Sequence, residues 1–166
     1  MTRKHWRPAY VGVGSNLGDP LEQVKAGIAA AGAIGKTQLV LRSSLYQSAP
    51  LAGEDQPDYI NAVIALMTML TAEELLLEFR AIEDAHGRDR RSGRWAARTL
   101  DLDLLALSDE VIDSEMLLLP HPGIADRNFV LLPWREITPH FRIPGLGSVR
   151  DLAGRLDTAL RIERLA

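Results

Sequence analysis

The chain has 166 residues, enough for one domain with a sizeable core. Its 22 acidic and 19 basic side chains leave a net charge of -3, which argues against broad nucleic-acid binding, and the lack of cysteine excludes disulfides, thiol catalysis and thiolate metal sites. No apolar stretch is long enough for a membrane span, and the N-terminus lacks a signal peptide's apolar run, so the expectation is a cytoplasmic protein with no membrane partner.

Residues 1–7 are polar and read as a tail. Ala9 to Gly14 reads as a first strand, followed by the turn Gly14-Ser15-Asn16-Leu17-Gly18. Asp19-Pro20-Leu21-Glu22 is a helix start: Asp19 caps, Pro20 suits the first helical position, and Glu22 completes a capping box. Leu21, Val24, Ile28 and Ala31 then recur at helical spacing to about residue 33. Strand, glycines and helix resemble a phosphate cradle, but Gly12-x-Gly14-x-x-x-Gly18 is off the dinucleotide spacing and no Gly-Lys-Ser/Thr follows. The glycines are therefore read as serving a tight turn and close packing.

Gln38 to Ser48 alternates as a second strand, and Ala49 to Pro57 is a loop. Tyr59 to Met69 is a third strand, apolar enough to be central, with Asn61 as its exception. A buried amide needs partners, so Asn61 either ties to nearby backbone or reads a polar ligand. Thr71-Ala72-Glu73-Glu74 is a second capping box; Leu75, Phe79 and Ile82 mark the buried face of its helix, which Gly87 ends. His86 reads as a helix-end histidine rather than a ligand.

Six arginines then run from Arg80 to Arg98, all but Arg80 in a loop that also holds Trp95. The loop feeds into Leu100-Asp101-Leu102-Asp103-Leu104, a strand whose period of two projects Asp101 and Asp103 from one face. Two carboxylates so close raise each other's pKa, and a divalent cation removes the conflict. Mg²⁺ takes one or two protein carboxylates and leaves its other positions to water and phosphate. Arginine's planar fork suits phosphate, so cations beside this pair point to a polyphosphate lying between metal and guanidinium. Trp95 either stacks on a flat ligand or covers the loop.

A short strand at Val111 and Ile112, the rigid turn Pro120-His121-Pro122-Gly123, a helix over Ala125 to Glu136 and a last helix capped at Ser148 complete the reading. Residues 156–166 read as peripheral to a single domain spanning 1–166. The order strand–helix–strand, strand–helix–strand predicts an α+β fold: a ferredoxin-like split βαβ unit with a mostly antiparallel sheet and helices on one face.

Several segments together resemble the 6-hydroxymethyl-7,8-dihydropterin pyrophosphokinase family of folate biosynthesis. They are Gly14-Ser15-Asn16-Leu17-Gly18, Asp55 to Ala62, Arg94-Trp95-Ala96-Ala97-Arg98-Thr99-Leu100-Asp101-Leu102-Asp103, Pro120-His121-Pro122 and Arg127 to Leu131, in the family's order. The resemblance implies transfer of the β,γ-diphosphate of ATP to the pterin hydroxymethyl group, leaving AMP. It implies that Asp101 and Asp103 hold two Mg²⁺ ions. Arg88, Arg98, His121 and Arg127 would contact the triphosphate, with Arg88 and Arg98 also catalytic. Arg90, Arg91 and Trp95 would belong to a closing loop, with Trp95 near both substrates. Tyr59 and Phe129 would sandwich the pterin, and Asn61 would bond its edge, helped by groups from Ser48 and Ala49 to Leu51. Glu83 falls at a position tied to nucleotide binding. The partners implied are small molecules, handled by a monomer. Ala96-Ala97, Gly123 and Ser48 depart from the common family pattern, and the general base stays open between Asp101 and a metal-bound water. A non-catalytic binding module and a metal-dependent phosphohydrolase are the competing classes.

Overall fold

The computed structural model describes residues 5–50, 55–87, 99–157 and 160–165. Strand β1, Arg7–Ser15, is followed by α1, Pro20–Gly32. Asp19 caps α1 by accepting the Glu22 N–H, Pro20 occupies its first turn, and Val24, Ile28 and Ala31 are buried at the expected spacing.

The second predicted strand is two: β2, Thr37–Arg42, and β3, Tyr46–Ser48. The break has a hydrogen-bonding cause. Ser43 exchanges backbone and side-chain bonds with Val63, its N–H donating to the Val63 carbonyl at 2.9 Å and its Oγ accepting the Val63 N–H at 3.0 Å. The Ser44 N–H and hydroxyl go to Glu136 instead of a strand. Serine side chains have replaced ladder bonds here, a competition that a period-two pattern does not register.

β4, Tyr59–Thr68, leads into α2, Ala72–Ala85, whose first turn is capped by Thr71. Its C-terminal turn passes His86, which bonds Gln23 at 2.7 Å, and stops at Gly87 with φ +79°. β5 spans Asp101–Leu107; β6, Ile112–Asp113, and β7, Leu118–Leu119, form a small hairpin.

The helix expected over 125–136 is also divided, into a 3-10 turn at Ile124–Asp126 and α3, Asn128–Ile137. Arg127 between them is extended, with φ −108° and ψ 101°. A second hairpin, β8 (Arg142–Ile143) and β9 (Gly147–Ser148), precedes α4, Val149–Gly154, capped by Ser148. The segment read as peripheral supplies β10, Ile162–Arg164, an edge strand on β3.

The main sheet runs β10-β3-β4-β1-β5, with β2 also on β4, and every pairing is antiparallel. The split βαβ expectation holds in this order. Helices cover both faces, however, not one. Val11, Val13, Ile64, Leu66, Leu102 and Leu104 pack with Val24 and Ile28 of α1 and Leu75 and Phe79 of α2. On the opposite face Tyr10, Val63, Ala65 and Leu105 meet Val130, Leu131 and Trp134 of α3 and Val149 and Leu152 of α4. Tyr10 sits in an aromatic group there, its ring centroid 5.1 Å from Trp134 and 4.5 Å from Phe141. The second layer was not legible because α3 and α4 are short and their apolar faces carry no sign of which sheet face they cover. No described helix is long and apolar enough to cross a membrane.

Candidate active site

The second sheet face changes character along its length. On β1 the residues at period two are Tyr10, Gly12 and Gly14; on β4 they are Ala65, Val63, Asn61 and Tyr59; on β5 they are Leu105, Asp103 and Asp101. The apolar end lies under α3. At the other end the side chains become small or polar, and among the described residues no core layer forms above them. Gly12 pairs with Asp103 and Val63, and Gly14 with Asp101 and Asn61. The two glycines thus floor a gap between an amide and a carboxylate pair. They stand inside β1, as the strand reading of Ala9 to Gly14 has it; of the group only Gly18, with φ +75°, has the turn conformation that favours glycine.

This gap is a cleft of about 280 Å³. Tyr59 and Asn61, with Ser48 and Ala49, line it on the β4 side of the two glycines and Asp101 and Asp103 on the β5 side, and His121, Arg127 and Phe129 complete the lining. These sequence-predicted residues come from β3, β4, β5, the turn after β7, and the start of α3. Gln56 and Pro122 also line it. Both lie in segments that carry the family resemblance, though the resemblance assigns neither a role; the signal for Gly12 and Gly14 was their period-two match to Asp101 and Asp103.

Asn61 is buried, and its Nδ2 donates to Ser48 Oγ at 2.7 Å. Its partner here is a side chain rather than the nearby backbone, and that bond fixes the direction of the amide. His121 is held twice. Its backbone N–H donates to the Leu105 carbonyl at 2.9 Å, and its Nδ1 accepts the Gly123 N–H at 3.1 Å. With Nδ1 an acceptor, the neutral ring carries its proton on Nε2. The Arg127 guanidinium lies 5.8 Å from the Phe129 ring centroid and packs against Gly123, where a Cβ would stand 2.5 Å from Arg127 Nε. Gly123, a departure from the common pattern, is what gives Arg127 this room.

Glu83, which the resemblance ties to nucleotide binding, is not among the described lining residues of the cleft: it is 4% exposed on α2, and its Oε2 accepts the Leu102 N–H at 2.9 Å. Its spacing on the buried face of α2 carries it to the far side of β5, behind the strand that bears the carboxylates. Leu51, Arg88, Arg90, Arg91, Trp95 and Arg98 lie outside the described residues.

Among the described residues no three metal-ligating side chains come together. Asp101 and Asp103 alone are a donor set for an ion that keeps most of its shell for water or phosphate, which is the habit of Mg²⁺ rather than of Zn²⁺ or Ca²⁺. His121 and Arg127 supply hydrogen-bond donors for an anion in the same cleft.

Residues 10–139 match the model of the 7,8-dihydro-6-hydroxymethylpterin-pyrophosphokinase family. The chain belongs to this family. Among curated relatives it is 42% identical over 144 residues to the 2-amino-4-hydroxy-6-hydroxymethyldihydropteridine pyrophosphokinase of Haemophilus influenzae, covering 87% of this chain and 89% of that one. The enzyme of the same name from Pseudomonas aeruginosa is 43% identical over 135 residues, covering 81% and 83%. Among solved structures, the Plasmodium falciparum HPPK-DHPS crystal structure with pteroate aligns with a TM-score of 0.74 at 12% identity. That alignment covers 93% of this chain and 43% of the longer one, and at such identity it bears on the fold alone. The fold is therefore shared by this pyrophosphokinase family member and a chain that has diverged far in sequence.

Proposed function

We propose that this chain transfers the diphosphate of ATP to the hydroxymethyl group of 6-hydroxymethyl-7,8-dihydropterin, giving the pterin diphosphate and AMP, a step of folate biosynthesis. The observation that carries this reading is the pairing, within one cleft, of an aromatic and amide half (Tyr59, Asn61, Phe129) with a carboxylate and cation half (Asp101, Asp103, His121, Arg127) in a chain of this family.

The two halves suit the two substrates. A flat heterocycle gains dispersion and stacking energy between Tyr59 and Phe129, and Asn61 bonds its edge. A site built on such bonds rejects rings that lack the matching groups. The hydroxymethyl oxygen attacks the β-phosphorus of ATP; the new O–P bond forms as the bond from that phosphorus to the α,β-bridging oxygen breaks. AMP departs with the bridging oxygen and its electron pair, and the hydroxyl proton passes to Asp101 or to water. Transfers of this type depend on position and charge neutralisation more than on covalent help from the protein. Arg127 and the His121 Nε2–H serve the transferring phosphates, joined by Arg88 and Arg98 in the order the family signature implies. Asp101 and Asp103 hold Mg²⁺, which when bound neutralises charge on the phosphate oxygens. Gly12 and Gly14 keep the floor low enough for both substrates to meet.

Product analysis tests the reading. The protein is incubated with ATP, Mg²⁺ and 6-hydroxymethyl-7,8-dihydropterin and the nucleotides are separated. The expected result is AMP formed only when pterin is present, with a pterin diphosphate in equal amount. ADP and phosphate formed without pterin would identify a hydrolase or an ordinary kinase. ATP binding without turnover would identify a binding module.

A further inference from the structure

The C-terminal segment 160–165 fastens three separate pieces of the cleft's aromatic half. β10 pairs Ile162 with Ser48, and the Arg161 carbonyl accepts the Ala49 N–H at 3.2 Å. Nη2 of Arg161 donates to both oxygens of Asp58, at 2.9 and 2.8 Å, next to Tyr59. The Leu160 carbonyl accepts Nδ2 of Asn128 at 3.1 Å, next to Phe129. Each anchor is a cleft-lining residue or its immediate neighbour. They lie at the end of β3, just before β4 and at the start of α3, and the last is distant in sequence from the other two.

We propose that segment 160–165 is a strap that sets the separation of Tyr59 and Phe129, and that Arg161 and Asn128 are positioning residues for the ring bound between them. The inference rests on the pterin reading of that half of the cleft. Its physical basis is the steepness of dispersion. A stacked ring needs about 3.5 Å to each neighbour, and a gap wider by about 0.5–1 Å forfeits a quarter to a half of the contact energy. Tyr59 stands on a sheet strand and Phe129 on a helix, so their spacing is a tertiary quantity. The strap bonds to both sides of it. Asp58 is further held by Gln47 Nε2 at 3.0 Å, so the Arg161 contact acts on a side chain that already has one fixed partner on β3.

The test uses the full chain with Arg161→Ala, Asn128→Ala and Arg161→Lys. Affinity for the fluorescent ring 6-hydroxymethylpterin is measured with Mg²⁺ and a non-hydrolysable ATP analogue, beside the KM for ATP and the urea midpoint. The expected result is a pterin Kd raised about two- to fivefold by each alanine, in line with the loss of one polar contact outside the ring's own site, with ATP KM unchanged and Arg161→Lys partly restoring affinity. If the wild type binds pterin and both alanine variants bind it equally well, the strap has no positioning role. A parallel fall in pterin affinity, ATP affinity and urea midpoint would make it merely structural. A wild type that does not bind pterin at all overturns the reading of the cleft, and the strap's role with it.

Discussion

The backbone N–H of Leu102, between Asp101 and Asp103, donates to the buried carboxylate of Glu83 at 2.9 Å. Glu83 thereby satisfies an amide on the edge of the sheet and holds the strand that presents the two carboxylates to the cleft. Burial of a carboxylate is costly unless it is hydrogen-bonded, and the same charge makes the bond strong. Glu83→Ala is expected to lower unfolding free energy by about 1–3 kcal/mol, the cost of stranding a buried donor. It should also raise the Mg²⁺ concentration needed for half-maximal rate. Glu83→Gln, which keeps an acceptor oxygen, should recover most of both. Urea unfolding and a Mg²⁺ titration of turnover check this; an unchanged Mg²⁺ requirement in Glu83→Ala would show that strand position does not matter.

Asp103 tests the carboxylate pair directly. Asp103→Ala should reduce kcat/KM by about a thousandfold even at saturating Mg²⁺, which corresponds to about 4 kcal/mol of transition-state stabilisation. Its side chain is partly exposed over Gly12, so the unfolding midpoint should move little. Near-normal turnover at high Mg²⁺ would remove Asp103 from the proposed metal pair.

Two glycines give opposite substrate signatures. A Cβ at Gly14 would lie 3.0 Å from Asn61 Oδ1 and 3.7 Å from Tyr59 Cδ1. Gly14→Ala should push the amide aside and raise the pterin KM about tenfold, within the usual cost of overpacking, with a smaller effect on ATP. A Cβ at Gly123 would meet Arg127 Nε at 2.5 Å, and the mobile guanidinium can move away. Gly123 has φ −94°, ordinary for alanine, so Gly123→Ala should fold normally and raise the ATP KM instead. Steady-state kinetics in both substrates separates the two, and equal effects on both KM values would contradict the division of the cleft.

Stability should decline at both ends of the pH range through one contact. Burial alone would raise the Glu136 carboxyl, but bonds from the Ser44 hydroxyl, Tyr46 and the Ser44 N–H outweigh it and hold the carboxyl below its ordinary range. A depressed carboxyl adds stability above its unfolded value, and that stability is lost as pH falls through the folded one. Tyr46 moves the other way, pushed up to about 12 by burial and then by its bond to Glu136. Its contribution is complete below the ordinary value of 10.0 and is lost as pH rises through about 12. Urea midpoints across pH should show both declines in the wild type. Glu136→Gln should flatten the acid limb and Tyr46→Phe should reduce the alkaline one.

The sequence by itself determined the elements whose signals are local. Asp19 and Thr71 cap α1 and α2, Gly87 ends α2, and the alternation of Leu and Asp in β5 puts Asp101 and Asp103 on one face. Each depends on side chains within a few residues of one another, so periodicity and capping chemistry were enough. Only the tertiary structure decided what depends on distant partners. Ser43 and Ser44 break a strand because Val63 and Glu136 take their bonds. Glu83 supports the carboxylate strand because α2 packs behind β5, and the tail becomes an edge strand because Ser48 lies where Ile162 can pair with it. Gly12 and Gly14 read only as glycines of the first strand that allow close packing; once β4 and β5 close on either side of β1, their missing side chains are the space in which the site lies. A chain's local pattern sets which face a side chain takes, while the neighbour that face meets is fixed by long-range pairing and packing.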